Sequence, residues 1–325
     1  MKKKLALLAA LAMMLSFALA ACATNPPAEA PAGETQPAAE VPVAERYGGV
    51  LKVSMNQDPV SLDALLEGGE NEQIPAAHIF ETALALDKSG NAFPGVCEYT
   101  FDGTTLTLKV REGVTFHNGD AVEIADVDAS MTRWLTNVSF ARTHFGDKIA
   151  TREIVGDELV VTLSGPAPLA LTALGRYAQG LYIMQEEICV AKPDTKIAQE
   201  EYIGTGPYKF VEHLADRYVR VERYDAYVPT NAEADGRAAP KMAYVDEIYF
   251  YPVPDRTARI TGVQTGEYDV AIGVPANMMA ELSASEDLVV EVKDLGIMAV
   301  MVFNSNQGLG TDVNLRKAIL ACVDM

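Results

Sequence analysis

Apolar and polar positions change period several times along this chain, and each change marks an element. Val50-Leu51-Lys52-Val53-Ser54-Met55 is a short run of strand character that ends before Asp58-Pro59, which predicts a first strand. Tyr99 and Phe101 alternate up to Asp102-Gly103. Beyond that turn Leu106, Leu108 and Val110 alternate with Thr105, Thr107 and Lys109, so an Asp-Gly hairpin is expected. After Asn118-Gly119-Asp120 the period becomes helical: Ile124, Val127, Met131 and Trp134 fall on one face and predict an amphipathic helix from Ile124 to Thr136. Trp134, the only tryptophan, belongs to the core on this pattern. Gly204-Thr205-Gly206-Pro207 is a turn that launches a second hairpin, with arms from Tyr208 to His213 and Tyr218 to Arg223. Val219 and Val221 face one way there, Arg220 and Glu222 the other. A strand from Val245 to Pro252, a helix capped by Asp255 and closed near Gly266, and a strand from Tyr268 to Ile272 follow. Strands and helices alternate, so the fold class is α/β with some hairpin content. Leu315, Ala318, Ile319, Cys322 and Val323 form a further apolar stripe with no cap after it, as in a helix that continues past Met325.

The first 46 residues follow other rules. MKKK is a positive start, and LALLAALAMMLSFALAA is an apolar stretch closed by small residues, so residues 1–21 constitute an export signal and are rather short for a membrane span. Residues 22–46 are dominated by Ala, Pro and Glu and contain no aromatic residue. Such a segment cannot build a core and serves as a linker, extended at roughly 3 Å per residue where it is polyproline-like.

With 325 residues, 49% of them hydrophobic, the chain exceeds one ordinary core and predicts several substructures. The formal net charge is −19, from 26 Lys and Arg against 45 Asp and Glu, and it becomes three units more negative once Lys2, Lys3 and Lys4 leave with the signal. That field repels phosphate backbones and excludes nucleic acid as a partner. Cys97, Cys189 and Cys322 are widely spaced with no CxxC pair, so no zinc or redox motif is present. Export permits either a Cys97–Cys189 disulfide or two buried free thiols. No HExxH, GxxxxGK(S/T) or GxSxG motif supports an enzyme, a metal site or a cofactor. Gly204 to Tyr208 leads into a strand, so it lacks the helix N-terminus that a phosphate loop requires.

Two resemblances add to this. Leu19-Ala20-Ala21-Cys22 resembles the lipobox of bacterial lipoproteins, which implies cleavage before Cys22, its lipidation, and anchoring at the outer face of the cytoplasmic membrane or in the periplasm. LTLKVREGVTFHNGDAVEIADVDASMTR, IGTGPYKFVEH, VDEIYFYPVPDRTARITGVQTGEYDVAI and FNSNQGLGTDVNLRKAILACVDM, with GGVLKVSMNQDPVSLD before them, resemble in order the peptide- and nickel-binding family 5 of extracellular solute-binding proteins. The signature positions are Arg111, Gly113, Val114, Phe116, His117, Gly119, Asp126, Val127, Ser130 and Arg133. Asn118, Ala121 and Glu123 depart from the usual Asp, Pro and Thr, which weakens the helix cap by about 1 kcal/mol.

The resemblance implies a two-lobed periplasmic-binding-protein-like fold of class II. One lobe comprises residues 47–78 and 203–275, an inserted subdomain 79–202, and a second lobe begins at 276 and is largely missing. It further implies a peptide or other small solute held in the interlobe cleft, an ABC permease and ATPase as partners, and no catalysis. A lipoprotein of the same fold acting as a sensor, pheromone receptor or chaperone is the alternative. Ligand-facing positions implied by the family lie in the loop from Leu66 to Glu72, with Glu67, Gly68, Gly69, Asn71 and Glu72 as candidates, at Phe145 beside His144, and at Arg176 between Gly175 and Tyr177. Arg176 is the candidate for holding a carboxylate, since a guanidinium binds one with two parallel hydrogen bonds. Peptide, nickel chelate, haem, opine and sugar all stay open as the solute.

Overall fold

A central strand with parallel neighbours on both sides organises the first of three sheets. The structure is a computed structural model that describes residues 47–292 and 301–323, so the signal, Cys22 and the linker lie outside the described residues. Strand β1 (Val50–Met55) pairs in parallel with β10 (Glu247–Pro252) and with β11 (Val270–Ala271), while β10, β9 (Tyr218–Arg223) and β8 (Tyr208–Leu214) run antiparallel. The order β11-β1-β10-β9-β8 thus joins residues near the start of the described chain to residues about 200 positions later. Val53 lies opposite Phe250, and Ile248 opposite Val221. All four are buried, because their shared face packs inward.

Two further sheets come from the intervening sequence. β2 (Leu84–Leu86) and β3 (Ala92–Pro94) form a small ribbon. β4 (Cys97–Phe101), β5 (Thr105–Val110), β7 (Glu158–Leu163) and β6 (Ile149–Val155) form an antiparallel sheet in the order β4-β5-β7-β6. Leu106, Leu108, Leu159 and Val161 supply its inner face and are fully buried. The helix Ile124–Asn137 covers that face, with Val127, Met131 and Trp134 inward, as its spacing predicts. Its cap keeps half of the reciprocal arrangement: the Glu123 amide donates to Asp126 Oδ2 at 2.8 Å. Asp255 caps the helix Arg256–Gln264 through a bond from the Ala258 amide.

Three differences from the sequence expectations have local causes. The strand expected from Tyr268 to Ile272 shrinks to Val270–Ala271, because the Glu267 and Tyr268 amides turn back to the Gly262 carbonyl at 2.8 and 3.1 Å and close the preceding helix. The second half of the predicted Leu66–Glu72 loop is instead the first turn of a helix, Glu70–Ile79, capped at Gly69. No disulfide forms. Cys97 and Cys189 are buried free thiols, pushed up to about 12 and about 11 by burial, which keeps them unreactive. The apolar stripe from Leu315 lies on the helix Val313–Cys322, where Ile319 and Leu320 face solvent among the described residues.

Candidate functional site

A fully buried ion pair fixes the segment that precedes the predicted loop. Arg133 Nη1 and Nη2 donate to Asp63 Oδ1 and Oδ2 at 3.1 and 2.6 Å, with no side-chain exposure on either partner. Asp63 also accepts the amides of Leu65, Leu66 and Ile197, and Arg133 donates to the carbonyls of Lys192 and Thr195. The carboxylate therefore has two roles at once: it closes the Asp63–Leu66 turn and ties it to the helix Ile124–Asn137. Ser130, one turn earlier, donates to the Met184 carbonyl and accepts its amide. Gln73 completes the support from the other side. Its amide donates to the carbonyls of Ala64 and Glu67, and its Oε1 accepts from the Tyr182 hydroxyl, which also reaches the Tyr177 carbonyl.

The predicted residues are placed unequally by this frame. Gly68 packs against Gln179, and a Cβ on it would lie 3.3 Å from the Gln179 side chain. Gln179 in turn donates to the Leu65 and Leu66 carbonyls, and its own carbonyl accepts the Trp134 indole N–H at 2.9 Å. The Leu66–Gly69 loop and the Arg176–Gln179 segment are thereby brought together. Arg176 is half-buried, with its guanidinium 4.3 Å from the Phe140 ring centre, and His144 packs on the same ring with centroids 4.3 Å apart. Among the described residues Arg176 has no hydrogen bond and no acidic partner. Burial lowers its pKa, as desolvation does for any cation without a counter-charge. Asn71 is half-buried in the first turn of the helix, and Glu70 beside it is exposed.

Three other candidates are already committed. Glu67 forms an ion pair with Lys196. Glu72 is 8% exposed, turned back toward Gly69, and accepts the Val60 amide, so it presents no carboxylate outward. Phe145 corrects the expectation more sharply: it has no exposed surface and packs 6.1 Å from Trp134, which makes it core and not part of a ligand surface. Its neighbours Phe140 and His144 are half-buried and pack on each other.

His117 holds a turn. Its Nε2 donates to the Gly206 carbonyl at 3.0 Å, its Nδ1 accepts the Gly204 amide at 3.3 Å, and burial lowers its pKa to about 4. A neutral imidazole used at both nitrogens has nothing left for catalysis. Among the described residues no group of three His, Cys, Asp or Glu side chains is arranged to hold a metal ion, and no helix is long and apolar enough to cross a membrane.

Sequence reasoning missed Phe140, Gln179 and Arg237. Phe140 sits on a six-residue helix, Ser139–His144, too short to display a period. Gln179 adopts a left-handed φ of 57°, which a glycine or asparagine would have signalled but a glutamine does not. Arg237 lies beside Gly236 in a stretch without pattern, yet its guanidinium stands 4.2 Å from the ring centre of Tyr177.

Comparison with known proteins agrees with this architecture. Residues 82–325 match the model of bacterial extracellular solute-binding proteins, family 5 Middle. Among curated relatives, a probable peptide ABC transporter periplasmic-binding protein of Sinorhizobium fredii is 27% identical, over 82% of this chain and 50% of its own length. The dipeptide-binding protein DppE of Bacillus subtilis is 25% identical, over 97% of this chain and 58% of its own. The chain thus spans about half the length of the curated relatives it matches. Among solved structures, the periplasmic binding protein AgaA of A. tumefaciens in complex with agropinic acid superposes with a TM-score of 0.61 at 23% identity, over 73% of this chain and 46% of that one. DppA of Helicobacter pylori with the peptide STSA gives 0.58 at 21%, over 75% and 50%. The fold is that of the periplasmic binding proteins. The chain belongs to family 5 of the bacterial extracellular solute-binding proteins, a family of binding proteins and not of enzymes.

Proposed function

We infer that, as a member of this family, the chain captures a peptide or a related carboxylate-bearing solute for an ABC importer and hands it to the permease and its ATPase. On this reading the solute lies in a cleft between two lobes. Residues 47–78 and 203–275 build the first lobe, residues 79–202 are inserted in it, and the second begins near 276. Lipidated Cys22 tethers the protein to the membrane outside the cytoplasm.

The observation that carries the reading is the Arg176 guanidinium, half-buried on Phe140 and without an acidic partner among the described residues, three positions before the Gln179 that packs on Gly68. A desolvated cation with no counter-charge is costly to maintain, and a carboxylate supplied by the solute relieves that cost. Peptides and agropinic acid, ligands in the names of three of the matched proteins, carry such a group. Asn71 and the exposed Gly68 and Gly69 backbone are the further polar groups that this reading assigns to the solute, while Glu67 is already paired with Lys196. The test uses the protein as its gene encodes it. Mass spectrometry identifies the solute that co-purifies, and calorimetry compares that solute on wild type and Arg176→Ala. Affinity should fall by about 2 kcal/mol or more while the melting temperature of the unliganded protein barely moves. Unaltered affinity, or a large loss of unliganded stability, would assign Arg176 to the scaffold.

A further inference from the structure

Glu81 stands just before β2 and is 4% exposed. Its Oε1 is satisfied twice, by the Tyr227 hydroxyl at 2.9 Å and the Lys241 ammonium at 3.0 Å. Its Oε2 is buried and has no hydrogen-bond partner in the structure. Buried carboxylate oxygens without donors are rare, because the desolvation of the charge is then left uncompensated. Glu81 lines a cavity of about 10 Å³ together with Thr82, Arg111, Tyr227, Arg237 and Lys241.

Arg237 is unmatched on the same cavity. Its guanidinium lies over the Tyr177 ring and makes no hydrogen bond among the described residues. Arg111, by contrast, is already engaged at all three nitrogens: its Nε, Nη1 and Nη2 donate to the carbonyls of Gly95, Pro229 and Val228, which uses three of its five N–H groups. A buried acceptor and a guanidinium without any hydrogen bond among the described residues therefore line one small polar space.

We propose that this cavity is a binding site for a single ordered water, which donates a hydrogen to Glu81 Oε2 and accepts one from the Arg237 guanidinium. Its volume matches what one water requires, and its lining supplies the polar partners that a buried water needs. Chloride is larger and would meet the Glu81 carboxylate. A metal cation would meet Lys241, Arg111 and Arg237. The bridge ties the segment from Tyr227 to Lys241 to Glu81, about 150 residues earlier, and holds Arg237 under Tyr177, whose neighbour is Arg176. This inference is independent of the solute-binding proposal.

A high-resolution crystal structure of the whole protein, with a parallel bromide soak, decides it. The expected result is one water peak within hydrogen-bond distance of both Glu81 Oε2 and an Arg237 nitrogen, without anomalous signal. A direct Arg237–Glu81 ion pair, an empty cavity, or an anomalous bromide peak would each overturn the proposal.

Discussion

Replacing Arg133 by Met tests how the Asp63–Leu66 turn is held. The substitution keeps most of the apolar stem and removes two charge-assisted bonds to Asp63 and two more to the Lys192 and Thr195 carbonyls. Asp63, whose side chain has no exposure, then keeps only the Leu65, Leu66 and Ile197 amides as donors. Breaking one partner of a buried pair typically costs about 3–5 kcal/mol, chiefly through the charge left behind. Asp63→Leu should cost a similar amount, since it strands the guanidinium and frees the Leu65 and Ile197 amides, while the Leu66 amide keeps the Asp63 carbonyl. The Asp63→Leu/Arg133→Met double variant should lose less than the sum of the two, by about 1–3 kcal/mol, because neither charge then remains unpaired. Trp134 adjoins Arg133, is fully buried and is the only tryptophan, so its fluorescence reports unfolding of this region in denaturant. Additive losses, or single variants within about 0.5 kcal/mol of wild type, would refute the argument.

The elements that carry the sheets were legible because their signals are local. Alternation about Asp102-Gly103 specified the β4–β5 hairpin, and both arms of the β8–β9 hairpin start where the pattern places them. The helix Glu70–Ile79 was not legible. Its buried residues include Glu72, Gln73 and Pro75, so no apolar stripe appears, and tertiary hydrogen bonds to Gln73 and Glu72 override the weak local preference. The same physics limited the site. Arg176 was recognisable as an isolated cation in an apolar run, whereas the full burial of Phe145 and the partial burial of Phe140 depend on how a six-residue helix docks against Trp134. Which of two phenylalanines five residues apart is the less buried is decided by that docking, and sequence spacing carries no record of it.

Lipidation is checked by Cys22→Ala, which should release the protein from membranes. Retention after an alkaline wash would mean that the leader is a retained anchor. Acid stability is the remaining test. His78 and His117 both have pKa values lowered to about 4, for each mainly because burial disfavours the charged ring. The unfolded chain takes up these protons near pH 6.5, so between about pH 6.5 and 4 it binds more protons than the folded chain. Stability from these groups is therefore complete above about pH 6.5 and declines as the pH falls toward 4, with a ceiling on the order of 3 kcal/mol per histidine. Carboxylates also titrate toward the acid end, so the slope of wild type alone does not isolate the effect. His117→Gln does: it keeps a donor and an acceptor near Gly206 and Gly204 but cannot be protonated. The variant should lose stability at neutral pH and show a shallower decline between pH 6.5 and 4, so that the two denaturation free energies converge on acidification. Parallel curves across that window would show that the His117 ring is protonated equally easily in the folded and unfolded chains, and that burial does not govern its charge.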